Sequence, residues 1–235
     1  MAWYNQHMKL LFLIMAFYCM TFAAEWTLVK DKNGVRVYTS SVAGSDFLAY
    51  RGETVIEASV ATVVAVLYDT PNCTDWLYEC SYGLTLEELS FEENYIFERY
   101  DLSFPVSDRG LILHSSLMWD EKKAVMSVKD ANDFCDNNTN SRCKKVRSLN
   151  LTTIARSSGT YTITMLDEHK TSVVWQAHTD PGGSLPTWMV NMLVVDMPYY
   201  SLLNLHEIVK EDKYKDMTKE KLKRLWKVQY DQHHQ

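Results

Sequence analysis

The chain has 235 residues, is 46% hydrophobic and carries a formal net charge of −6 at pH 7. That length suits one domain with a sizeable core. The acidic balance argues against a protein that grips nucleic acid through its phosphates.

The first 23 residues stand apart. Lys9 precedes "LLFLIMAFYCMTFAA", an apolar run of the length of a signal-peptide core, and Thr21 and Ala23 are small residues placed −3 and −1 to a cut before Ala24. Residues 1–23 therefore read as a secretory signal peptide, with Met8 an alternative start. An uncleaved N-terminal anchor is the competing reading. Removal takes one Lys and no acid, leaving 23 basic against 30 acidic residues. Export to a periplasm or the outside favours disulfides. Cys73, Cys80, Cys135 and Cys143 allow three pairings. Cys73–Cys80 and Cys135–Cys143 are favoured because each closes a short loop, and four free thiols is the alternative for a cytosolic chain. The spacings and the lack of a His pair argue against zinc. If the host is eukaryotic, Asn72, Asn137 and Asn150 are glycosylation acceptors.

The next segment is β. "WTLVK" and "VRVYTS" flank Asn33-Gly34, a hairpin turn signal. "FLAYRGETVIEA" continues as a strand, and "SVATVVAVLYD" predicts a helix capped by Ser59 and ended before Pro71. Seven strand-like runs follow: "YGLTLEEL", "NYIFERYDLSF", "RGLILHSSLMW", "KAVMSVK", "RSLNLTTIAR", "GTYTITML" and "TSVVWQAHT". Most alternate apolar and polar residues, as an antiparallel sheet with one wet face should. Strands, a helix, more strands and a last helix make an α+β order without repeats.

That last helix is unusually greasy. Sixteen of the 25 residues from Leu185 to Val209 are apolar. Gly182 and Gly183 release the chain from the preceding strand, Ser184 can cap, and Pro186 suits a first turn. Trp188, Met192, Val195, Tyr199 and Leu202 form one stripe at four-three spacing, widened by Met189, Val190, Leu193 and Val194. Asn191, Asp196 and Asn204 interrupt it, so it does not span a bilayer. Pro198 should kink it. Either it packs as a core helix, or it lies across a curved sheet and roofs an apolar cavity. Met189, Met192 and Met197 suit the second role. Residues 212–235 are highly charged and read as a helical extension with Leu222, Leu225 and Trp226 on one side. Their basic run could touch anionic lipid.

Three stretches together carry a family resemblance. "SFPVSDRGLILHSSLMW" resembles the turn-and-strand signature of the START domain, the steroidogenic-acute-regulatory-related lipid-transfer family. "TSVVWQAHTDPGGSLPTWMVNML" resembles that family's last strand, Gly-Gly turn and start of the last helix, and "DMPYYSLLNLHEIV" the rest of the helix. The likeness covers residues 25–210. Gly110 stands where the family usually has Asp, which marks a divergent, exported member of bacterial type. The resemblance implies a helix-grip fold over residues 24–211: a curved antiparallel sheet wrapped around the C-terminal helix, with an internal hydrophobic cavity for one sterol, phospholipid or similar molecule. It implies binding, and transfer, of a hydrophobic ligand by a monomer with transient membrane contact and no cofactor.

Candidate cavity residues follow from it. Trp188, Met192, Val195 and Tyr199 come from the helix, Trp175 and His178 from the last strand, and Tyr100, Leu113 and His114 from beside the signature turn. Each also fits a plain core position. Sterol-binding members carry a buried acid–base pair on two central strands. Here Glu98 and Arg99 occupy the earlier strand, but the later Arg position falls on or near His114 or Ser115. The pair is not reproduced; Glu98 facing His114 would be a substitute, and a solvent-facing Glu98 is the favoured alternative. Arg109 and Asp108, with Gly182 and Gly183, read as structural. No nucleophile elbow, His-Glu-x-x-His or phosphate loop is present. A cyclase-like enzyme using His114, His178 and Glu98 is the catalytic alternative, and an exported interaction module the third.

Overall fold

The structure is a computed structural model and describes residues 25–102, 106–182 and 185–233. The expected signal peptide, Gly183 and the Ser184 cap lie outside these residues.

The first hairpin forms as its turn chemistry requires. β1 (Thr27–Lys32) and β2 (Val35–Ser40) meet at Asn33 and Gly34, whose φ values of 53° and 76° are those of a two-residue turn that follows the strand twist. β3 (Ala49–Ile56) leads to α1 (Val60–Tyr68), whose Ser59 side chain accepts from the Thr62 N–H at 3.2 Å. After α2 (Cys73–Trp76) come β4 (Cys80–Ser90), β5 (Glu93–Tyr100), β6 (Arg109–Trp119) and β7 (Lys123–Asp130). A helix α3 (Ser141–Ser148) and the short β8 (Thr152–Thr153) precede β9 (Arg156–Asp167) and β10 (Lys170–Asp180). The chain closes with α4 (Thr187–Ile208) and α5 (Lys219–His233).

The strands make one sheet in the order β1-β2-β3-β10-β9-β7-β6-β5-β4, with antiparallel neighbours throughout, and β8 adds to β6 in parallel. The chain crosses from β3 to the far edge at β4 through α1 and α2. The long α4 lies over the curved sheet, packed on β2 and β3. This is the α+β helix-grip arrangement, with the helix where the resemblance put it.

Gly52 shows how closely sheet and helix approach. A Cβ there would lie 2.6 Å from Leu202 Cδ1 and 3.0 Å from Pro198 Cβ. Pro198 is therefore part of the packing face, and α4 runs unbroken through it. The polar residues that interrupt the apolar pattern hold the helix in place. Asn191 Oδ1 accepts from the Leu48 N–H, Asp196 pairs with Lys30 at 3.2 Å, and Asn204 Nδ2 donates to the Trp76 carbonyl. No described helix is long and apolar enough to cross a membrane.

One strand expectation changes. "RSLNLTTIAR" is not a strand: its start ends α3 and only Thr152–Thr153 extends. The loop between Cys135 and Cys143 buries both its cysteines, and Asn140 caps α3 by accepting from the Cys143 N–H at 2.7 Å. Its polar residues are spent on capping and on exposed surface. The disulfides join Cys73 to Cys80 and Cys135 to Cys143, with Cα separations of 5.9 and 5.2 Å. Two such bonds fit an oxidising, exported setting.

The charged C-terminal segment does not prolong α4. Tyr214 and Met217 are buried, and the Tyr214 hydroxyl donates to Asp69 while accepting from Asn72. The chain then turns at Asp216, with φ 53°, into α5. Leu222 and Trp226 face inward, Trp226 edge-on to Phe91, whereas Leu225 faces solvent.

Candidate ligand-binding cavity

Period-two alternation decides which strand residues face the helix. On β5 these are Asn94, Ile96, Glu98 and Tyr100, and on β6 Arg109, Leu111, Leu113 and Ser115. From β9 and β10 come Tyr161 and Trp175, with Tyr50 from β3. α4 closes the space with Val190, Leu193, Val194 and Met197, a helical stripe of its own. Trp76 and Leu77, beside the Cys73–Cys80 bond, complete the wall. The cavity gives about 150 Å³ of room for the centres of water-sized molecules. By that measure one water needs roughly 10–15 Å³, so the space far exceeds a packing defect.

The wall is mainly apolar and aromatic. Tyr161 stacks on Trp175 with ring centres 4.8 Å apart, and Tyr50 meets Trp175 edge-on at 5.0 Å. Polar groups are few and grouped. The Tyr100 hydroxyl donates to Glu98 Oε2 at 2.5 Å. Burial pushes the Glu98 carboxyl above the usual carboxylate range, and the Tyr100 bond offsets this only in part. Glu98 keeps some exposed area because it borders the cavity, while its position is deep inside the protein. The Tyr50, Tyr100 and Tyr161 phenols are held above their ordinary value by burial, and the nearby Glu98 charge adds to this. Asn94 and Ser115, directly opposite across β5 and β6, form a second polar group with Tyr68.

Of the ten residues expected from the sequence, Glu98, Tyr100, Leu113 and Trp175 line the cavity. The helix stripe was assigned to the wrong face. Trp188 and Met192 are 63% and 58% exposed. Val195 packs beside the core without reaching the cavity. Tyr199 is buried against the first hairpin, where Asn33 Nδ2 donates to its hydroxyl and Lys30 Nζ sits 3.7 Å from its ring centre. The helix is apolar on so many sides that spacing alone cannot phase it.

Both histidines also point away. His114 lies opposite Tyr95 on the outer face of the sheet, with Nε2 2.7 Å from Glu93 Oε1. It therefore does not face Glu98, whose cross-strand neighbour is Leu111. His178 Nε2 is 3.0 Å from Ser45 Oγ, outside the cavity wall. The acid–base set of the cyclase reading is thus not brought together. Asp108 pairs with Arg99 at 2.7 Å, and Gly182, with φ +67°, releases the chain while its N–H donates to Asp180. Gly110 faces outward, and a Cβ there would meet the Phe97 ring at 3.1 Å, a close contact that the ring would have to yield to slightly. Arg109 bonds the Ser107 carbonyl within its turn, as a structural residue should, and its side chain also lines the cavity.

This cavity between a curved sheet and a long C-terminal helix defines a helix-grip protein. The START domain family matches residues 21–197, and the chain belongs to that family. An uncharacterized protein of Pseudomonas aeruginosa is 31% identical over 188 residues, 78% of this chain and 86% of its own. A STAR-related lipid transfer protein from Xanthomonas axonopodis, solved as a crystal structure, superposes with a TM-score of 0.68 and 27% identity over 79% of this chain and 99% of its own. Human STARD10 gives a TM-score of 0.67 at 16% identity, covering 94% of this chain and 83% of that one, a likeness of fold.

Proposed function

We propose that the protein binds one hydrophobic molecule, a lipid or sterol-like amphiphile, in the cavity between the sheet and α4. The observation that carries this is the composition of the wall: aromatic and aliphatic side chains from β3, β5, β6, β9, β10 and α4, with polar atoms confined to small groups. Such a wall supplies affinity through apolar contact and orientation through a few hydrogen bonds. Trp175, Tyr161, Leu113 and Leu193 are the apolar contacts, and Glu98 with Tyr100 is the polar anchor. When it holds a proton, Glu98 both donates and accepts, and so suits a neutral hydroxyl or carbonyl.

The domain over residues 24–211 acts after export, with residues 1–23 removed as the signal peptide. It carries its ligand as a monomer between apolar environments, touching membrane surfaces in passing. The family and the Xanthomonas relative support this reading.

Vesicle exchange tests it. Donor vesicles with a mixture of labelled sterol, phospholipid and fatty acid are incubated with the protein, and ligand is then counted on repurified protein and on acceptor vesicles. One molecule bound per chain, with faster arrival in acceptors, is expected. Absence of any bound lipid contradicts binding, and bound lipid without arrival contradicts transfer.

A further inference from the structure

Arg109 is a buried cation without a buried anion. It is 3% exposed and lines the cavity. Its Nη1 donates to the Ser107 carbonyl at 2.5 Å and to the Ser107 hydroxyl at 2.8 Å, both neutral acceptors. Its Nε has no hydrogen-bond partner. Among the described residues no carboxylate pairs with it. The two acids nearest in the chain are committed elsewhere: Asp101 and Asp108 both bind Arg99, at 2.8 and 2.7 Å, on the opposite face of the sheet. Glu98 is on the cavity side but is bonded to Tyr100.

A guanidinium held in a low-dielectric wall is costly unless an anion joins it. Its planar fork fits a carboxylate or a phosphate with two parallel hydrogen bonds. Burial raises the Glu98 carboxyl above the usual range, which lessens its repulsion of such a group. Leu111 and Leu113 continue from Arg109 along the same face of β6 to Ser115. The six steps from Arg109 to Ser115 span about 20 Å of strand, an apolar track fit for a long acyl chain.

We propose that Arg109 holds the anionic head of an amphiphilic ligand, a carboxylate or a phosphate, with its acyl chain laid along Leu111 and Leu113. This rests on the cavity being a ligand site and narrows its ligand class. It also gives Arg109 a role beyond its turn.

The test compares three ligands of one chain length on the purified protein with disulfides intact: hexadecanoate, hexadecyl phosphate and hexadecan-1-ol. At least one anion should bind about ten- to a hundredfold more tightly than the alcohol, and which anion does so separates a fatty acid from a phospholipid source. Within Arg109→Gln the three should bind alike, while Arg109→Lys should keep part of the preference. An alcohol that binds wild type as tightly as both anions overturns the anion site and leaves the cavity reading standing. No binding by any of the three overturns the cavity reading as well.

A second measurement needs no variant. Hexadecanoate labelled with carbon-13 at its carboxyl is titrated by NMR while bound. Beside Arg109 the carboxyl should stay ionised to lower pH than in water. Titration at higher pH than in water, as burial without a cation would cause, overturns the proposal.

Discussion

Glu98 and Tyr100 stand two residues apart on β5, both facing the cavity, and the Tyr100 hydroxyl bonds Glu98 Oε2 at 2.5 Å. The pair is the clearest polar feature of an otherwise apolar wall, and it makes Glu98 a titration probe for the interior.

Burial raises the folded-state pKa of Glu98 above its unfolded value. Its contribution to stability is therefore fully present below the unfolded value of about 4.3 and is lost as pH rises through the folded value. Glutamine does not titrate. Urea unfolding of wild type and Glu98→Gln across pH 4 to 8 should show the variant gaining on wild type as pH rises. A difference that stays flat with pH contradicts a buried, proton-holding Glu98.

The face that α4 turns toward the sheet can be tested by paired substitutions. Leu193 lines the cavity and Trp188 is largely exposed. Leu193→Trp should fill the space and abolish ligand uptake. Trp188→Ala should leave stability within about 0.5 kcal/mol, as for a surface site, and leave uptake from solution intact. The reverse pattern, read by ligand counting and thermal unfolding, contradicts the placement of the helix.

Two glycines mark close approaches. Gly52→Ala should cost about 1–3 kcal/mol, the range for overpacking, because Leu202 is fully buried and Pro198 is rigid. Gly83→Ala should cost more. Its Cβ would lie 2.0 Å from the Thr70 carbonyl oxygen and 3.0 Å from Cys73 Sγ, so the backbone before α2 must move. Chemical denaturation gives both values, and a smaller cost at Gly83 contradicts that packing.

The Cys73–Cys80 bond ties α2, with Trp76 and Leu77 in the cavity wall, to the edge strand β4. Replacing both cysteines by serine should destabilise the protein by about 2–4 kcal/mol and weaken ligand retention more than the same change at Cys135–Cys143, which lies away from the cavity. Equal effects on retention contradict a role for α2 in the wall.

Much of this was legible in the residues. Asn33-Gly34, the Ser59 cap and the period-two strands fixed their elements because the determinants are local. The family signature placed α4 over the sheet. Strand alternation already allowed only one of Leu113 and His114 to face inward, so His114 was avoidable. The phase of α4 was not readable, because its apolar residues run almost around the helix and its polar ones serve as ties to Leu48, Lys30 and Trp76. Arg109 is a different case. Arg109 does bond within its turn, to the Ser107 carbonyl and hydroxyl, and only the sheet's geometry shows that its side chain also lines the cavity, with Asp101 and Asp108 turned to Arg99 on the other face.

The central claim, one hydrophobic molecule held under α4, meets its most direct test in native mass spectrometry of the protein purified without detergent. The account predicts a single adduct of lipid mass per chain, present on purification or appearing after loading with sterol, phospholipid or fatty acid, and lost in Leu193→Trp. A wild-type protein that stays free of adduct after all three loadings would contradict it.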